Sequence, residues 1–163
     1  MEGVLGISPG TKRLGVALMR NHDLVDWQVK TFEGKWSERK LKKIIIAIDT
    51  LIDDHGIREI AVKIPGTLPF SMGFTQLIGA MNVLFERKGI RADYYTLSDM
   101  QNHFSQEKKM TKASLAAFLA HKHSELLPVY HKGEQKRVSY YNKVFEAVAA
   151  ASLLERQPSL DIR

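Results

Sequence analysis

The sequence predicts a mixed α/β domain. A three-strand antiparallel meander is continued by βαβ units into a five-stranded sheet with helices on both faces. Three observations predict it. The stretch Val4-Leu5-Gly6-Ile7-Ser8-Pro9-Gly10-Thr11-Lys12-Arg13-Leu14-Gly15-Val16-Ala17-Leu18 reads as strand, tight turn, strand. Downstream, short β-branched runs alternate with segments of helical period. The 163 residues, 44% of them apolar, suit one domain with a real core, residues 1–157, followed by a tail over 158–163.

Each element has a local reason. Val4, Leu5 and Ile7 favour a strand, and Pro9-Gly10 turns the chain directly after Ser8, leaving position 8 at the open rim of the sheet. Leu14 to Leu18 is the return strand, His22-Asp23 a turn, and Leu24 to Phe32 a third strand ended at Gly34. Ser37 can cap a helix whose apolar stripe is Leu41, Ile44, Ile45, Ile48, Leu51 and Ile52, with Gly56 at its end. Arg58 to Ile64 reads as a central strand with Lys63 near its end, and residues 65–73 as a loop. A second helix spans about Ser71 to Lys88, with Leu77, Ile78, Met81, Leu84 and Phe85 inward; its Gly79 is explained by close packing on the sheet.

Arg91 to Leu97 is the fifth strand, Ser98 caps a short turn or helix through about Phe104, and Ser105 to Met110 is a polar, basic loop. Thr111 caps a third long helix, with Leu115, Phe118 and Leu119 inward, that Pro128 stops. His131 to Arg137 reads as a basic flexible connection, and the last helix runs from about Ser139 to Glu155 with Tyr141, Phe145, Val148 and Ser152 on one face. Trp27 and Trp36 are expected as partial core.

Composition narrows the function classes. Lysine and arginine number 24 against 18 acidic residues, giving +6 and a pI near 9.5, which is compatible with a polyanionic partner. With no cysteine, disulfides, thiol catalysis and thiolate metal sites are excluded, which suits a cytoplasmic chain. No apolar run reaches the roughly 20 residues of a membrane helix, and the opening residues carry no signal-peptide pattern. His121, His123 and His131 lack the paired spacing of a zinc site.

The element order, together with Gly6-Ile7-Ser8-Pro9-Gly10-Thr11-Lys12-Arg13-Leu14-Gly15-Val16-Ala17 and the alanine-rich helix Tyr141 to Ala151, resembles the ribonuclease-H-like fold. Within it, the chain is most similar to RuvC-type Holliday-junction resolvases and the related YqgF (RuvX) group, over about residues 3–156. In active members of the RuvC group, four carboxylates at the sheet rim hold two Mg²⁺ about 4 Å apart for phosphodiester hydrolysis. The resemblance puts those positions at Ser8, Lys63, Lys143 and Glu146, so that one carboxylate remains and two positions are cationic. At an effective dielectric near 20, a unit charge at about 4 Å is worth roughly 4 kcal/mol, so Lys63 alone could offset what Glu146 offers a metal. No Mg²⁺ or other cofactor and no small-molecule substrate are therefore expected. A shifted alignment would bring in Asp99, Asp93 or Glu59 instead.

Two readings of Lys63 stand side by side. Its ammonium pairs with Glu146 where a metal charge would sit, or it snorkels outward and simply ends a strand. Lys12 and Arg13 in the first turn could hold a phosphate or stand solvated. Lys108, Lys109, Lys112, Lys132, Lys136 and Arg137 make a basic region that the resemblance implies flanks the site, where it either contacts phosphate backbones or is a solvated helix face and loop, with Tyr140 and Tyr141 stacking on bases or lying in the core. The resemblance implies a catalytically inactive domain that binds branched or structured nucleic acid, as a homodimer like its relatives. The alternatives are a protein-interaction or regulatory domain on the same fold, and an active endonuclease with rearranged ligands.

Overall fold

The computed structural model describes residues 3–104, 111–136 and 139–156, with the backbone alone at 112, 133–136, 139, 140 and 156. Its strands are β1 (Val4–Ser8), β2 (Arg13–Arg20), β3 (Asp23–Thr31), β4 (Glu59–Lys63) and β5 (Arg91–Tyr95). Its helices are α1 (Glu38–His55), α2 (Met72–Lys88), α3 (Leu97–Phe104), α4 (Lys112–Lys122), α5 (Leu127–Lys136) and α6 (Ser139–Arg156), with one turn of 3₁₀ helix at Ser124–Leu126. The sheet order is β3-β2-β1-β4-β5. β1 is antiparallel to β2 and parallel to β4; β2–β3 is antiparallel and β4–β5 parallel. This is the meander followed by βαβ units that the sequence predicts.

Alternation along the strands sorts the core into two layers. Leu5, Ile7, Leu14, Val16, Leu18, Ile60 and Val62 pack against Ile44, Ile48 and Ile52 of α1 and Leu77, Met81 and Leu84 of α2. Val4, Ala17, Met19, Ala61 and Tyr95 face the other way, against α3 to α6. Buried on both faces, β1 is the centre of the molecule. Trp36 joins the first layer and Trp27 the second, both partly buried as expected.

The long helices are capped by side chains legible in the sequence: Ser37 and Gly56 bound α1, Ser71 and Gly89 bound α2, and Thr111 caps α4. Several local readings are corrected. The β2–β3 turn is Asn21-His22, both at positive φ as a type I′ hairpin requires, so Asp23 already belongs to the strand. β5 stops at Tyr95, and Thr96 rather than Ser98 caps α3: the Asp99 N–H donates to Thr96 Oγ1 and the Thr96 N–H to Asp99 Oδ2. Pro128 does not end a helix; it sits in the first turn of α5, where a missing N–H costs nothing. Residues 131–136, read as a flexible connection, are helical within α5, whose Val129 and Tyr130 pack on the core. Phe118 is 39% exposed, its ring tilted against Phe104. Gly79 has open space where a Cβ would point, so close packing does not explain it. The loop over 105–110 and the tail from 158 lie outside the described residues. Among those described, no helix is long and apolar enough to cross a membrane.

Candidate functional site

The site forms where α6 crosses the carboxyl ends of β1 and β4, the rim at which open α/β sheets present side chains to ligands. Two glycines set how closely α6 approaches. A Cβ on Gly6 would overlap the Ala147 carbonyl, and one on Gly15 the Lys143 carbonyl. Ala147 and, one turn later, Ala151 keep the helix side of this contact small. The helix backbone therefore lies directly on β1 and β2, and side chains one turn away reach the strand ends.

Val4, Gly6 and Ser8 alternate toward α6, as do Glu59, Ala61 and Lys63 on the parallel neighbour. Ile7 stands opposite Val62, so Ser8 and Lys63 end adjacent strands side by side. Glu146, only 5% exposed, descends onto both. The Ser8 hydroxyl donates to Glu146 Oε1 at 3.1 Å. Lys63 Nζ lies 2.8 Å from Glu146 Oε2, an ion pair rather than an aligned hydrogen bond. The side chain of Lys63 is 17% exposed, so it turns inward to the carboxylate and does not snorkel. One turn earlier on α6, Lys143 Nζ donates to the Pro9 carbonyl at 3.0 Å and tethers the β1–β2 turn. The four rim positions singled out in the sequence thus come together, with Lys143 bound to backbone and Lys63 to Glu146.

The chemistry of this donor set does not fit a pair of divalent cations. Hard dications need several anionic oxygens, whereas the rim offers one carboxylate, a hydroxyl and two ammoniums. The other acidic candidates serve elsewhere. Glu59 begins the strand that Lys63 ends, Asp93 pairs with Arg91 at 3.0 Å, and Asp99 closes the cap of α3. Among the described residues, no group of three or more His, Asp or Glu side chains is arranged to hold a metal ion. The three histidines are separately placed. His121 Nδ1 meets the Ala117 carbonyl, His131 packs beside Tyr130, and His123 is buried near Glu125, with burial first and the Lys122 charge second holding it below the ordinary 6.5.

Of the basic residues, Lys12 is exposed in the β1–β2 turn and Arg13 opens β2 half-buried; Lys132 is exposed on α5. Lys112 and Lys136 are described as helix positions only, and Lys108, Lys109 and Arg137 lie outside the described residues. Tyr141 is half-buried; nothing is described of the Tyr140 side chain. Sequence reasoning read residues 65–73 as a loop and gave it no role; Leu68 in that loop and Met72 at the start of α2 are 79% and 76% exposed. Three apolar side chains without strand or helix period, Leu68, Phe70 and Met72, following Pro65 were the available signal.

With this geometry in view, the chain is similar to the RuvC of Thermus thermophilus in complex with a Holliday junction substrate, with a TM-score of 0.67 at 16% identity over 93% of this chain and 90% of that one. The fowlpox virus resolvase in complex with substrate Holliday junction DNA matches with a TM-score of 0.60 at 9% identity, over 94% of this chain and 99% of that one. No family model matches, and no curated protein matches in sequence. The fold is therefore ribonuclease-H-like. Across nearly the whole chain that fold is similar to the one of the RuvC and poxvirus resolvases; identities this low show the fold alone.

Proposed function

We propose that the chain is a nucleic-acid-binding domain of RuvC type that holds branched or structured DNA or RNA without cutting it and needs no metal. The observation that carries this is the 2.8 Å ion pair between Lys63 and Glu146, with Ser8 on the other carboxylate oxygen. It puts an ammonium where metal-dependent chemistry needs anionic oxygens. Support for the ligand class comes from the two similar structures solved with Holliday junctions, from the net charge of +6, and from Lys12 in the turn beside the rim and Arg13 at the start of β2. The exposed Leu68 and Met72 would give that surface apolar side chains to set against bases. By the same resemblance the assembly is a homodimer.

The test is fluorescence anisotropy with a labelled four-way junction, duplex and single-stranded RNA across a salt series. Phosphate contacts predict a log–log slope of about −0.9 per neutralised phosphate on duplex arms. Lys12→Glu with Arg13→Glu should weaken binding about tenfold. The junction should stay uncut with Mg²⁺ or Mn²⁺. Absence of binding at low salt would remove the reading, and metal-dependent cleavage abolished by Glu146→Ala would replace it with the rearranged nuclease. A second reading, a protein-interaction domain, is favoured by Ile46 on α1 and Val83 on α2, each 63% exposed. It predicts no salt-dependent affinity for any nucleic acid.

A further inference from the structure

A groove of about 480 Å³ opens where β3 runs into α1, lined among others by Glu33, Gly34, Lys35, Arg39, Lys40 and Lys43. Four cations there face the single carboxylate of Glu33. Lys35, Arg39 and Lys43 are exposed, but Lys40 is only 5% exposed. Among the described residues its ammonium meets one partner, the Gly34 carbonyl at 2.8 Å. An ammonium has three donors, and burying it without a counter-charge is costly. Glu38, the acidic residue in the first turn of α1, pairs with Lys42 on another side of the helix. Arg39 and Lys40 also lie in the first turn of an 18-residue helix, where the dipole disfavours positive charge. An anion in the groove would offset both costs.

We propose that this groove is a phosphate-binding site, with Lys40 as its buried anchor and Lys35, Arg39 and Lys43 as its outer cations. The volume suits one or a few phosphate groups. The groove adjoins the β1–β2 turn: Thr31 pairs with Arg13 in register, and the Phe32 N–H donates to the Lys12 carbonyl at 2.8 Å. Its phosphate would come from a nucleic-acid backbone crossing the rim or from a free phosphate compound. The site stands on its own residues and does not depend on nucleic-acid binding.

The test uses the full chain, with pyrophosphate binding by calorimetry at constant ionic strength and junction binding by anisotropy. Three variants are compared: Lys40→Met, Lys43→Glu, and Lys42→Glu. The last makes the same charge change one residue away, on a side chain outside the groove. Lys43 is exposed, so its variant keeps the test valid where Lys40→Met fails to fold. The expected result is a loss of about tenfold or more in pyrophosphate affinity for Lys40→Met and Lys43→Glu, and little change for Lys42→Glu. A parallel loss in junction affinity, with a shallower salt slope, assigns the phosphate to nucleic acid. Pyrophosphate loss with junction binding unchanged assigns it to a free compound. Junction loss confined to the groove variants, without pyrophosphate binding, also supports the site. Equal effects of Lys42→Glu and Lys43→Glu, or no effect of either groove variant on either probe, would overturn it. A chain that binds pyrophosphate but no junction keeps this site and loses the nucleic-acid reading.

Discussion

At the scale of single residues, the rim is held by a charge pair whose members were both conspicuous in the sequence. Lys63 ends a strand and Glu146 lies on the helix that must cross it, so their meeting follows from element order once α6 is laid on β1. Lys143 was less legible. Its partner is the Pro9 carbonyl, a backbone group that no residue pattern announces. Replacing Lys63 by methionine leaves the buried Glu146 carboxylate without its ammonium and should cost about 3 kcal/mol. Glu146→Gln should cost less, because Lys63 at 17% exposure can turn to water. In urea unfolding the double variant should fall short of the sum by about 1–3 kcal/mol; additivity would mean the pair is not coupled.

Tyr95 makes a second point at this scale, invisible before folding. Its hydroxyl is buried and, among the described residues, unpartnered, and burial followed by the Asp93 charge pushes the phenol up to about 12. Between its ordinary 10.0 and about 12 the native state holds a proton that the unfolded chain releases. Stability from this group is therefore full below pH 10 and is lost as pH rises toward 12. Tyr95→Phe should leave stability at pH 7 unchanged or raise it by about 1 kcal/mol, and should flatten the alkaline limb of a thermal-melt series. A steep alkaline loss persisting in the variant would assign it to other groups.

At the scale of elements, the same substitution should have opposite signs at two glycines. Gly6→Ala places a methyl into the Ala147 carbonyl and lifts α6 off β1, which should cost about 3 kcal/mol or more and loosen the rim. Gly79→Ala meets open space on an exposed helix face and should gain about 1 kcal/mol, raising the melting temperature by roughly 2–4 °C. Thermal melts of the two variants check both signs. The periodicity of α1 and α2 was legible because buried stripes repeat at helical spacing. Helix α5 was not. Pro128 and Gly133 interrupt its sequence, and it is held by Val129 and Tyr130 packing on the core, a tertiary contact that overrides the local signal. The end of the fifth strand was misplaced for a similar reason: the Thr96–Asp99 hydrogen bonds fix where α3 begins, and both Thr96 and Ser98 are competent caps by residue type.

At the scale of the molecule, the order of strands and helices carried the fold, because a meander followed by βαβ units allows few sheet topologies. What it could not carry was which side chains within a single stretch end up buried or exposed. The exposed apolar side chains Leu68 and Met72, and the buried Lys40 among exposed cations in the groove over residues 31–43, are properties of that kind. The proposed absence of a metal site turns on the Lys63–Glu146 ion pair closing the rim. A Mn²⁺ titration of the full chain followed by electron paramagnetic resonance, run beside Glu146→Gln, tests that most directly. The two proteins should give the same weak, non-saturating loss of free Mn²⁺ signal. A saturable site in the wild-type chain that disappears in Glu146→Gln would contradict it.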